Sequence, residues 1–264
     1  PARLNRGLRA RLDRPNARAP APPADRGRHR AQMLARTRQL LEWLSLADRL
    51  LAPSAFVKEL YVAQGLPAER LAVLPLGVER GPARPRRAGP FTVAFIGSLQ
   101  YHKGPDLLVE AWRQAPEWPA HLRLFGAGAP GETYAGDLRQ SAGGDPRITF
   151  HEPFPRGHLA DVLAEVDVLA VPSRCYETYS LAAREALLAG TPVVAAGLGA
   201  LTEVVQPGVN GVLVPPDNAA ALAAGLRRAQ AELEALRAGA LRFTAPGPAE
   251  HVAELETLYR ALLR

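Results

Sequence analysis

From residue 91 onward the sequence repeats one unit, which is an apolar and often β-branched run, a turn with glycine or proline, and a segment of helical period. Short apolar runs between turn residues are typical of strands buried on both faces, and their alternation with helical segments predicts βαβ units in a parallel sheet. The predicted strands are 91–97, 122–128, 147–152, 167–173, 191–196 and 211–216.

Helical segments separate these strands. Because βαβ crossovers are right-handed, the order predicts an α/β fold in which helices cover both faces of a doubly wound, Rossmann-like parallel sheet. The predicted helices are 105–115, 133–142, 156–165, 180–189, 200–206, 217–238 and 248–263.

The first 80 residues hold a shorter version of the same pattern. Its elements are helices near 30–45 and 54–64 and strands at 48–54 and 70–77. Two strands cannot close a sheet as large as that of the second half, so we expect a partial α/β segment, the tail of another domain whose beginning is absent. The predicted domains are this tail at 1–80, a Pro-, Gly- and Arg-rich linker at 81–90, a domain at 91–245 and a terminal helix at 246–264.

The net charge of +6 is unevenly distributed along the chain. Residues 1–50 hold 12 Lys and Arg against 4 Asp and Glu, whereas residues 51–264 hold 20 against 22. A basic, proline-bearing arm such as RAPAPPADRGRHR is typical of a solvated or poorly ordered segment, for which we expect weak contact with an anionic membrane or a partner. The chain has no ribonucleoprotein strand and no zinc-finger spacing, so nucleic acid is not an expected partner.

The chain lacks the roughly 18 uninterrupted apolar residues that a membrane span requires, and its arginine-rich start lacks the apolar region of a secretory signal. We therefore expect a soluble, cytoplasmic protein. The single cysteine, Cys175, excludes an internal disulfide. Its position beside Glu177 favours a small neighbour of a site over a nucleophile.

Several segments between about residue 45 and residue 220 carry a family likeness in the same order. They are SLADRLLAPSAFVKELYVAQGLPAERLAVLPLGVE, AFIGSLQYHKGPDLLVEAW, LRLFGAG, VDVLAVPSRCYETYSLAAREALLAGTPVVAAGLGALTEVV and NGVLVPPDN. The chain resembles the retaining glycosyltransferases of family 4, the group 1 class, which have two Rossmann-like domains in the GT-B fold. The resemblance implies that residues 91–245 bind a nucleoside-diphosphate sugar without a cofactor. It also implies that the final helix crosses back to an acceptor-binding N-terminal domain, most of which is missing.

A nucleoside-diphosphate sugar needs protein groups for its diphosphate, its ribose and its sugar. The segment GSLQYHKG supplies Gly97 in a turn after the first strand, and Lys103 shortly before a helix, where an ammonium and exposed N–H groups can face phosphate. The resemblance makes Lys103 a catalytic residue that stabilises the leaving diphosphate. The alternative is a solvated surface lysine.

Glu177 and Glu185 follow the fourth strand of the domain. With Thr178 or Ser180 as N-cap, Glu177 lies on the loop at the carboxyl end of that strand and Glu185 lies over one turn into the next helix. Ligands bind at the carboxyl ends of parallel strands, so both carboxylates could accept hydrogen bonds from one long polar ligand. The resemblance places Glu177 on hydroxyls of the donor sugar, as a catalytic residue, and Glu185 on the ribose. Spacing alone favours two solvated charges.

The backbone N–H groups of Tyr179, Ser180 and Leu181 lie at the start of the same predicted helix. The helix dipole favours an anionic oxygen there, so these groups are candidates for donor contacts. The family usually has glycine where Ser180 stands, and a differently shaped sugar pocket is therefore expected. Glu203 matches a family turn over the donor in which Gly199 alone of a glycine pair is kept, and a helix-capping carboxylate is an equal alternative for it.

Ser98 is a second departure from the family, whose members commonly have arginine directly after the first-strand glycine. Serine donates a hydrogen bond but carries no charge, and the loss of a charge-assisted contact costs about 1.5–3 kcal/mol. Arg174, close to the Glu177 loop, is the predicted replacement as second phosphate cation.

Two motifs are typical of other chemistry. GAGAPG at 126–131 fits the glycine pattern of a dinucleotide site, but it follows the second strand rather than the first and contains Pro130, which disfavours an NAD-binding domain. Glu165-Val166-Asp167 resembles an acidic metal-binding triplet, yet it lies at a helix–strand junction where Asp167 more naturally caps or turns the chain. The six histidines lack the spacing of paired ligands, so no metal is predicted.

The sequence therefore predicts the donor half of a retaining glycosyltransferase that acts on an unidentified acceptor. Three alternatives stay open, namely a nucleotide-sugar epimerase or hydrolase of the same fold, a nucleotide-binding module without catalysis, and an NAD-binding oxidoreductase domain. Because the family draws part of its site from the N-terminal domain, we expect this chain alone to bind the donor without completing the transfer.

Overall fold

The computed structural model describes residues 23–81, 88–131 and 133–263. The chain divides between Pro75 and Leu76 into two compact units. Residues 1–22, which include most of the basic arm, and residues 82–87 of the predicted linker lie outside the described residues. The domain bounds at residues 80, 90 and 245 stay predictions.

The first unit contains a helix followed by one βαβ unit. Its elements are helix α1 (Pro23–Leu44), strand β1 (Leu50–Ala52), helix α2 (Ala55–Ala63) and strand β2 (Leu71–Val73). The side chain of Ser54 caps α2 by accepting a hydrogen bond from the N–H of Val57 at 3.2 Å. The two strands pair in parallel with Leu50 opposite Leu71. The first unit is therefore the partial α/β segment that the sequence predicts.

Helix α1 begins earlier than the sequence predicts. The sequence predicts a solvated or poorly ordered segment over 18–30, whereas the helix extends back to Pro23. Proline is tolerated in a first helical turn because its missing N–H would have no intrahelical acceptor there. With 22 residues α1 is long enough to span a bilayer but too polar, and no other helix in the described part of the chain is both long and apolar enough.

The second unit is built on six parallel strands. They are β3 (Thr92–Ile96), β4 (His121–Phe125), β5 (Ile148–His151), β6 (Val168–Val171), β7 (Val193–Ala196) and β8 (Gly211–Val214). Their order across the sheet is β5-β4-β3-β6-β7-β8, and every neighbouring pair is parallel. The chain winds from β3 out to β5, returns to the middle of the sheet, and winds from β6 out to β8. This order confirms the doubly wound α/β prediction.

Helices cover both faces of this sheet. They are α3 (Pro105–Arg113), α4 (Tyr134–Ser141), α5 (Leu159–Leu163), α6 (Leu181–Leu188), α7 (Leu201–Val204), α8 (Ala219–Ala231), α9 (Leu233–Ala240) and α10 (Pro248–Leu262). Helices α3, α4 and α8 pack against one apolar cluster, which includes Val93 and Phe95 of β3. Helices α5, α6 and α7 pack against the other, which includes Ala94. Because successive strand residues point to opposite faces, β3 contributes to both layers of the core.

The helix predicted over 217–238 is two helices in the structure. Helix α8 ends at Ala231 and α9 begins at Leu233, with Glu232 between them at φ −100° and ψ 13°. Helix α9 brings Gly239 against the carbonyl of Val209, where a Cβ on residue 239 would lie 1.7 Å from the oxygen. A continuous helix would point α9 in another direction, so tertiary packing decides where this helix breaks.

Asp167 joins three elements of the second unit. Its side chain is buried, Oδ2 accepts a hydrogen bond from the backbone N–H of Thr92 at 2.9 Å, and Oδ1 accepts one from the guanidinium of Arg237. Glu165, two residues earlier, pairs instead with Arg123 at 2.6 Å. In the part of the chain that the structure describes, no three His, Cys, Asp or Glu side chains are grouped to hold a metal ion.

We expect Asp167→Asn to lower the free energy of unfolding by about 2–3 kcal/mol, because an amide N–H would face a donor inside the core. Urea denaturation followed by tryptophan fluorescence measures the change. The matched control is Glu165→Gln, which removes a more exposed ion pair and should cost less than about 1 kcal/mol. Equal losses in the two variants would contradict the structural role of Asp167.

Candidate functional site

The carboxyl ends of β3 and β6 form the centre of the candidate site. These strands are neighbours in the sheet, but the chain leaves them toward opposite sides, and such a switch point opens a crevice in which ligands bind. The segment after β3 carries Gly97, Ser98 and Lys103, and the loop after β6 carries Glu177. Four predicted site residues therefore lie at one edge of the sheet.

Lys103 and Glu177 meet at this edge. The ammonium Nζ of Lys103 lies 2.8 Å from Oε1 of Glu177, and the hydroxyl of Ser173 donates to the same oxygen at 2.6 Å. The two charged side chains keep 31% and 13% of their surface exposed. The pair is thus sheltered, yet a ligand can reach it. The sequence predicts this convergence of residues 74 positions apart, and the geometry agrees with it.

The turn that carries Lys103 is fixed against strand β6. Residues 101–103 form a 3₁₀ turn, Gly104 follows at φ 73°, and Pro105 begins α3. A Cβ on residue 104 would lie 2.3 Å from the carbonyl oxygen of Pro172. Glycine is required here both for the left-handed backbone and for the close approach, which holds the lysine beside the Glu177 loop.

A second glycine fixes the backbone of Glu177. Gly199, in the turn after β7, has φ 58°, and a Cβ there would lie 2.7 Å from the carbonyl oxygen of Glu177. The N–H of Ala200 also donates to that oxygen at 2.9 Å. Of the glycine pair that the family resemblance implies in this turn, the sequence keeps Gly199. That position requires glycine because a Cβ there would collide with the backbone of Glu177.

Arg174 is the centre of a hydrogen-bond network that joins three loops. Its guanidinium donates two hydrogen bonds to the carboxylate of Asp106, both at 2.7 Å, one to Asp217 at 2.7 Å, and one to the carbonyl of Tyr101 at 2.8 Å. It also lies over the ring of Tyr101, 4.2 Å from the centroid. The backbone N–H of Arg174 donates to the carbonyl of His102. These contacts hold the turn that carries Lys103.

The geometry contradicts the prediction that Arg174 is a phosphate cation. Its side chain is 3% exposed, and its donors are occupied by protein oxygens. Burial alone would raise the pKa of the Asp106 carboxyl, but the hydrogen bonds from Arg174 and Tyr134 hold that pKa below its usual value. The sequence could not show that protein oxygens occupy the donors of Arg174, because Asp106 and Asp217 lie 68 and 43 positions away in the chain.

A cleft of about 500 Å³ opens beside these loops. It is lined by Ile96, Gly97, Ser98, Phe125, Gly126, Ala127, Pro153, Phe154, Arg156, Leu159, Leu181 and Glu185. Four of the predicted donor-site residues, Gly97, Ser98, Leu181 and Glu185, are thus brought together, whereas Lys103 and Glu177 lie outside this lining. The strand predicted over 122–128 ends at Phe125, since Gly126 turns out of the sheet, where a Cβ would lie 1.9 Å from the carbonyl of Gly97.

Arg156 lines the cleft although the sequence does not predict it as a site residue. Its guanidinium lies 2.9 Å from Oε1 of Glu185, and the side chains of the pair are 67% and 15% exposed. Residues 156–158 form a 3₁₀ turn before α5, whereas the sequence predicts one helix over 156–165. The position of Arg156 after β5 is the sequence feature that predicts a place near the site, because every loop that follows a parallel strand reaches the same edge of the sheet.

Ser180 precedes α6 in a left-handed conformation. Its φ is 53° and its ψ is 80°, and its side chain makes no capping hydrogen bond. The N-cap position is therefore as predicted, but the capping function predicted for the serine is wrong. The positive φ strains a side chain at this position, which agrees with the glycine that the family resemblance implies here.

Tyr179 is anchored away from the cleft. Its hydroxyl donates to the carbonyl of Leu76 at 2.7 Å, and the buried guanidinium of Arg184 lies 3.5 Å from the centroid of its ring and donates to its carbonyl oxygen. Burial lowers the pKa of Arg184, while the phenol ring and the carboxylate of Glu203 oppose that shift. Glu203 lies in the first turn of α7. Donor contacts of Tyr179, Ser180 and Glu203 stay predictions.

Cys175 is half-buried between these loops. Burial raises the pKa of its thiol, and the nearby carboxylate of Glu177 raises it further. A thiol with a raised pKa forms little thiolate at neutral pH, so the environment favours a small packing residue over a nucleophile.

We expect Arg174→Ala to destabilise the fold by about 2–3 kcal/mol, because Asp106 and Asp217 lose the cation between them and the loops around Lys103 lose their shared hydrogen-bond donor. Urea denaturation measures this loss. Arg174→Lys keeps the charge but not the planar fork, and should restore less than half of it. Unchanged stability together with a loss of nucleotide affinity would restore the phosphate role.

We expect Ser180→Gly to raise the free energy of unfolding by about 0.5–1 kcal/mol, because glycine adopts the left-handed conformation without steric cost. Thermal denaturation measures the shift. Ser141→Gly, at the end of helix α4, is the control and should lower stability, since glycine is unfavourable in a helix. A loss of stability in Ser180→Gly would show that the left-handed backbone is not strained.

Two curated relatives are similar to this chain over most of its length. The chain is 36% identical over 246 residues to D-inositol 3-phosphate glycosyltransferase 1 of Catenulispora acidiphila. The alignment covers 83% of this chain and 59% of the relative. It is 36% identical over 241 residues to the D-inositol 3-phosphate glycosyltransferase of Geodermatophilus obscurus, covering 83% of this chain and 52% of that one. The chain thus spans between half and three fifths of the length of these relatives.

Solved structures share the fold. Sucrose-phosphate synthase from Thermosynechococcus elongatus superposes with a TM-score of 0.71 at 27% identity, over 86% of this chain and 62% of that one. Anabaena HepE, in complex with UDP and glucose, superposes with a TM-score of 0.70 at 24% identity, over 81% of this chain and 64% of that one.

A family profile matches the part of the chain that holds the six-stranded sheet and the candidate site. Residues 90–232, more than half of the chain, match the family described as glycosyl transferases group 1. The chain belongs to the group 1 glycosyl transferase family.

Proposed function

We propose that this chain binds a nucleoside-diphosphate sugar at the carboxyl edge of the six-stranded sheet and serves as the donor half of a retaining glycosyltransferase. The donor's diphosphate lies near the Gly97 turn and Lys103, its sugar reaches Glu177, and its ribose reaches Glu185. The acceptor is an unidentified hydroxyl compound.

The observation that carries this proposal is the meeting of Lys103 and Glu177 at 2.8 Å beside the switch point of the sheet. The ammonium can bind the diphosphate of a donor, and the carboxylate can accept hydrogen bonds from the hydroxyls of its sugar. The adjoining cleft, with Glu185 on its wall, has room for a nucleoside. Support for the ligand class comes from HepE, whose structure holds UDP and glucose.

Lys103 has the role of stabilising the leaving group. As the bond between the anomeric carbon and the phosphate oxygen breaks, negative charge develops on the diphosphate, and a fixed ammonium lowers the energy of that state. The leaving phosphate oxygen then takes the proton of the acceptor hydroxyl, which attacks the anomeric carbon from the same face. Glu177 orients the sugar through its hydroxyls and forms no covalent bond with it.

We also propose that donor binding needs no divalent metal. Lys103 supplies one positive charge, and the N-terminal end of α6 supplies backbone N–H groups and the positive end of a helix dipole beside Glu177. These groups offset the charge of the diphosphate without an ion.

The test is a calorimetric panel of UDP-, GDP- and ADP-sugars and NAD, measured in EDTA on the 264-residue chain and on Lys103→Gln. We expect one sugar nucleotide to bind, and Lys103→Gln to weaken its binding tenfold or more, because a charge-assisted contact is worth about 1.5–3 kcal/mol. Lys58 is the only other lysine in the sequence, so Lys58→Gln is the matched control and should bind as the wild type does.

Each possible result addresses a separate part of the proposal. Binding of NAD in place of every sugar nucleotide would overturn the ligand class. Sugar-nucleotide binding that appears only after Mg²⁺ is added would overturn metal independence. Equal losses in Lys103→Gln and Lys58→Gln would remove Lys103 from the diphosphate site.

A further inference from the structure

Two cations at the candidate site are each paired with a carboxylate. Lys103 is bound to Glu177 at 2.8 Å, and Arg156 is bound to Glu185 at 2.9 Å. These carboxylates lie on the β6–α6 loop and on helix α6, and their partners come from the segments that follow β3 and β5. Both positive charges are therefore neutralised by carboxylates of the protein in this structure.

Arg156 is placed to exchange its partner. Its side chain is 67% exposed, whereas that of Glu185 is 15% exposed, so the guanidinium lies on the open side of the pair. Among the described residues, Glu185 is the one hydrogen-bond and ion-pair partner found for the Arg156 side chain. Arg174 differs in both respects, since it is 3% exposed and donates to three residues. Of the two arginines, Arg156 can move at little cost.

A second positive charge in the cleft would strengthen the binding of a diphosphate. A nucleoside diphosphate carries at least two negative charges, and the turn after β3 presents Ser98, which has none. Arg156 lines the same cleft as Gly97 and Ser98, and it is the one cation in the described lining. A guanidinium is suited to phosphate because its planar N–H groups can donate two parallel hydrogen bonds to phosphate oxygens.

We propose that Arg156 is the second diphosphate cation of this site and that Glu185 is its resting partner. The inference rests on the proposed function, which brings a diphosphate to the Gly97 turn and a hydroxyl-bearing ribose to Glu185. When the ligand binds, the ribose hydroxyls donate to Glu185 and the released guanidinium donates to the phosphates. One ion pair is exchanged for two sets of ligand contacts, and no covalent bond changes.

The exchange makes recognition of the ribose and of the diphosphate interdependent. A nucleoside without phosphates must separate Arg156 from Glu185, and it has no phosphate oxygens to accept hydrogen bonds from the released guanidinium. A nucleoside diphosphate replaces both halves of the broken pair. Affinity should therefore rise steeply from the nucleoside to the diphosphate, and Arg156 should account for much of that rise.

The experiment compares calorimetric affinities for uridine, UMP and UDP, and for the guanosine and adenosine series, in the wild type and in Arg156→Gln. We expect Arg156→Gln to weaken diphosphate binding about tenfold or more and to leave nucleoside binding unchanged or stronger. The ratio of the two affinities should therefore fall at least tenfold. The control is Arg260→Gln on α10, which removes another exposed arginine paired with a glutamate and should leave the ratio unchanged.

Two results would overturn the inference. A ratio that is the same in Arg156→Gln and the wild type would show that Arg156 does not bind the diphosphate. A gain in affinity for uridine and UDP alike would show that Arg156 only blocks Glu185. Either result leaves the proposed function standing if wild-type binding is normal. A wild type that binds no nucleoside diphosphate would instead overturn the proposed function, and the role of Arg156 with it.

Discussion

The parallel direction of all six strands in the second unit is the constraint on which the candidate site depends. Parallel strands have their carboxyl ends at one edge, so the segments after β3, β5, β6 and β7 reach the same side of the sheet. Strands β3 and β6 are neighbours although 71 residues separate Ile96 from Val168 in the chain. This arrangement places Lys103 beside Glu177 and puts Arg156 within reach of Glu185.

Parallel strands alone do not hold side chains in fixed positions, and close backbone packing supplies the rest. Gly104 lets the Lys103 turn lie directly on the end of β6, and Gly199 does the same for the turn beneath Glu177. Arg174 then ties the Lys103 turn to the starts of α3 and α8 through Asp106 and Asp217. The buried arginine thus positions the turn that carries Lys103, and its own donors are occupied by protein oxygens.

The sequence predicted the fold well because its strongest signals are local. Buried strands appear as short apolar runs, and the six strands of the second unit lie where those runs lie, apart from shifts of one to three residues at their ends. The errors arise where partners are distant. The pattern gives no reason to break the helix at Glu232, because the packing of α9 on Val209 joins segments that are distant in sequence. It predicts Arg174 as a ligand residue because Asp106 and Asp217 are also remote in sequence.

The amino-acid order alone was enough to predict the doubly wound α/β class, an edge of the sheet as the candidate ligand site, and the meeting of Lys103 with Glu177. Periodicity and strand order are enough for the first two, and the family likeness supplied the third. The burial of Arg174, the exposure of Arg156 and the left-handed backbone of Ser180 became visible in the folded structure. The reason is physical: the environment of a charge and the strain at a residue depend on which distant groups pack against it, and a linear pattern does not contain those contacts.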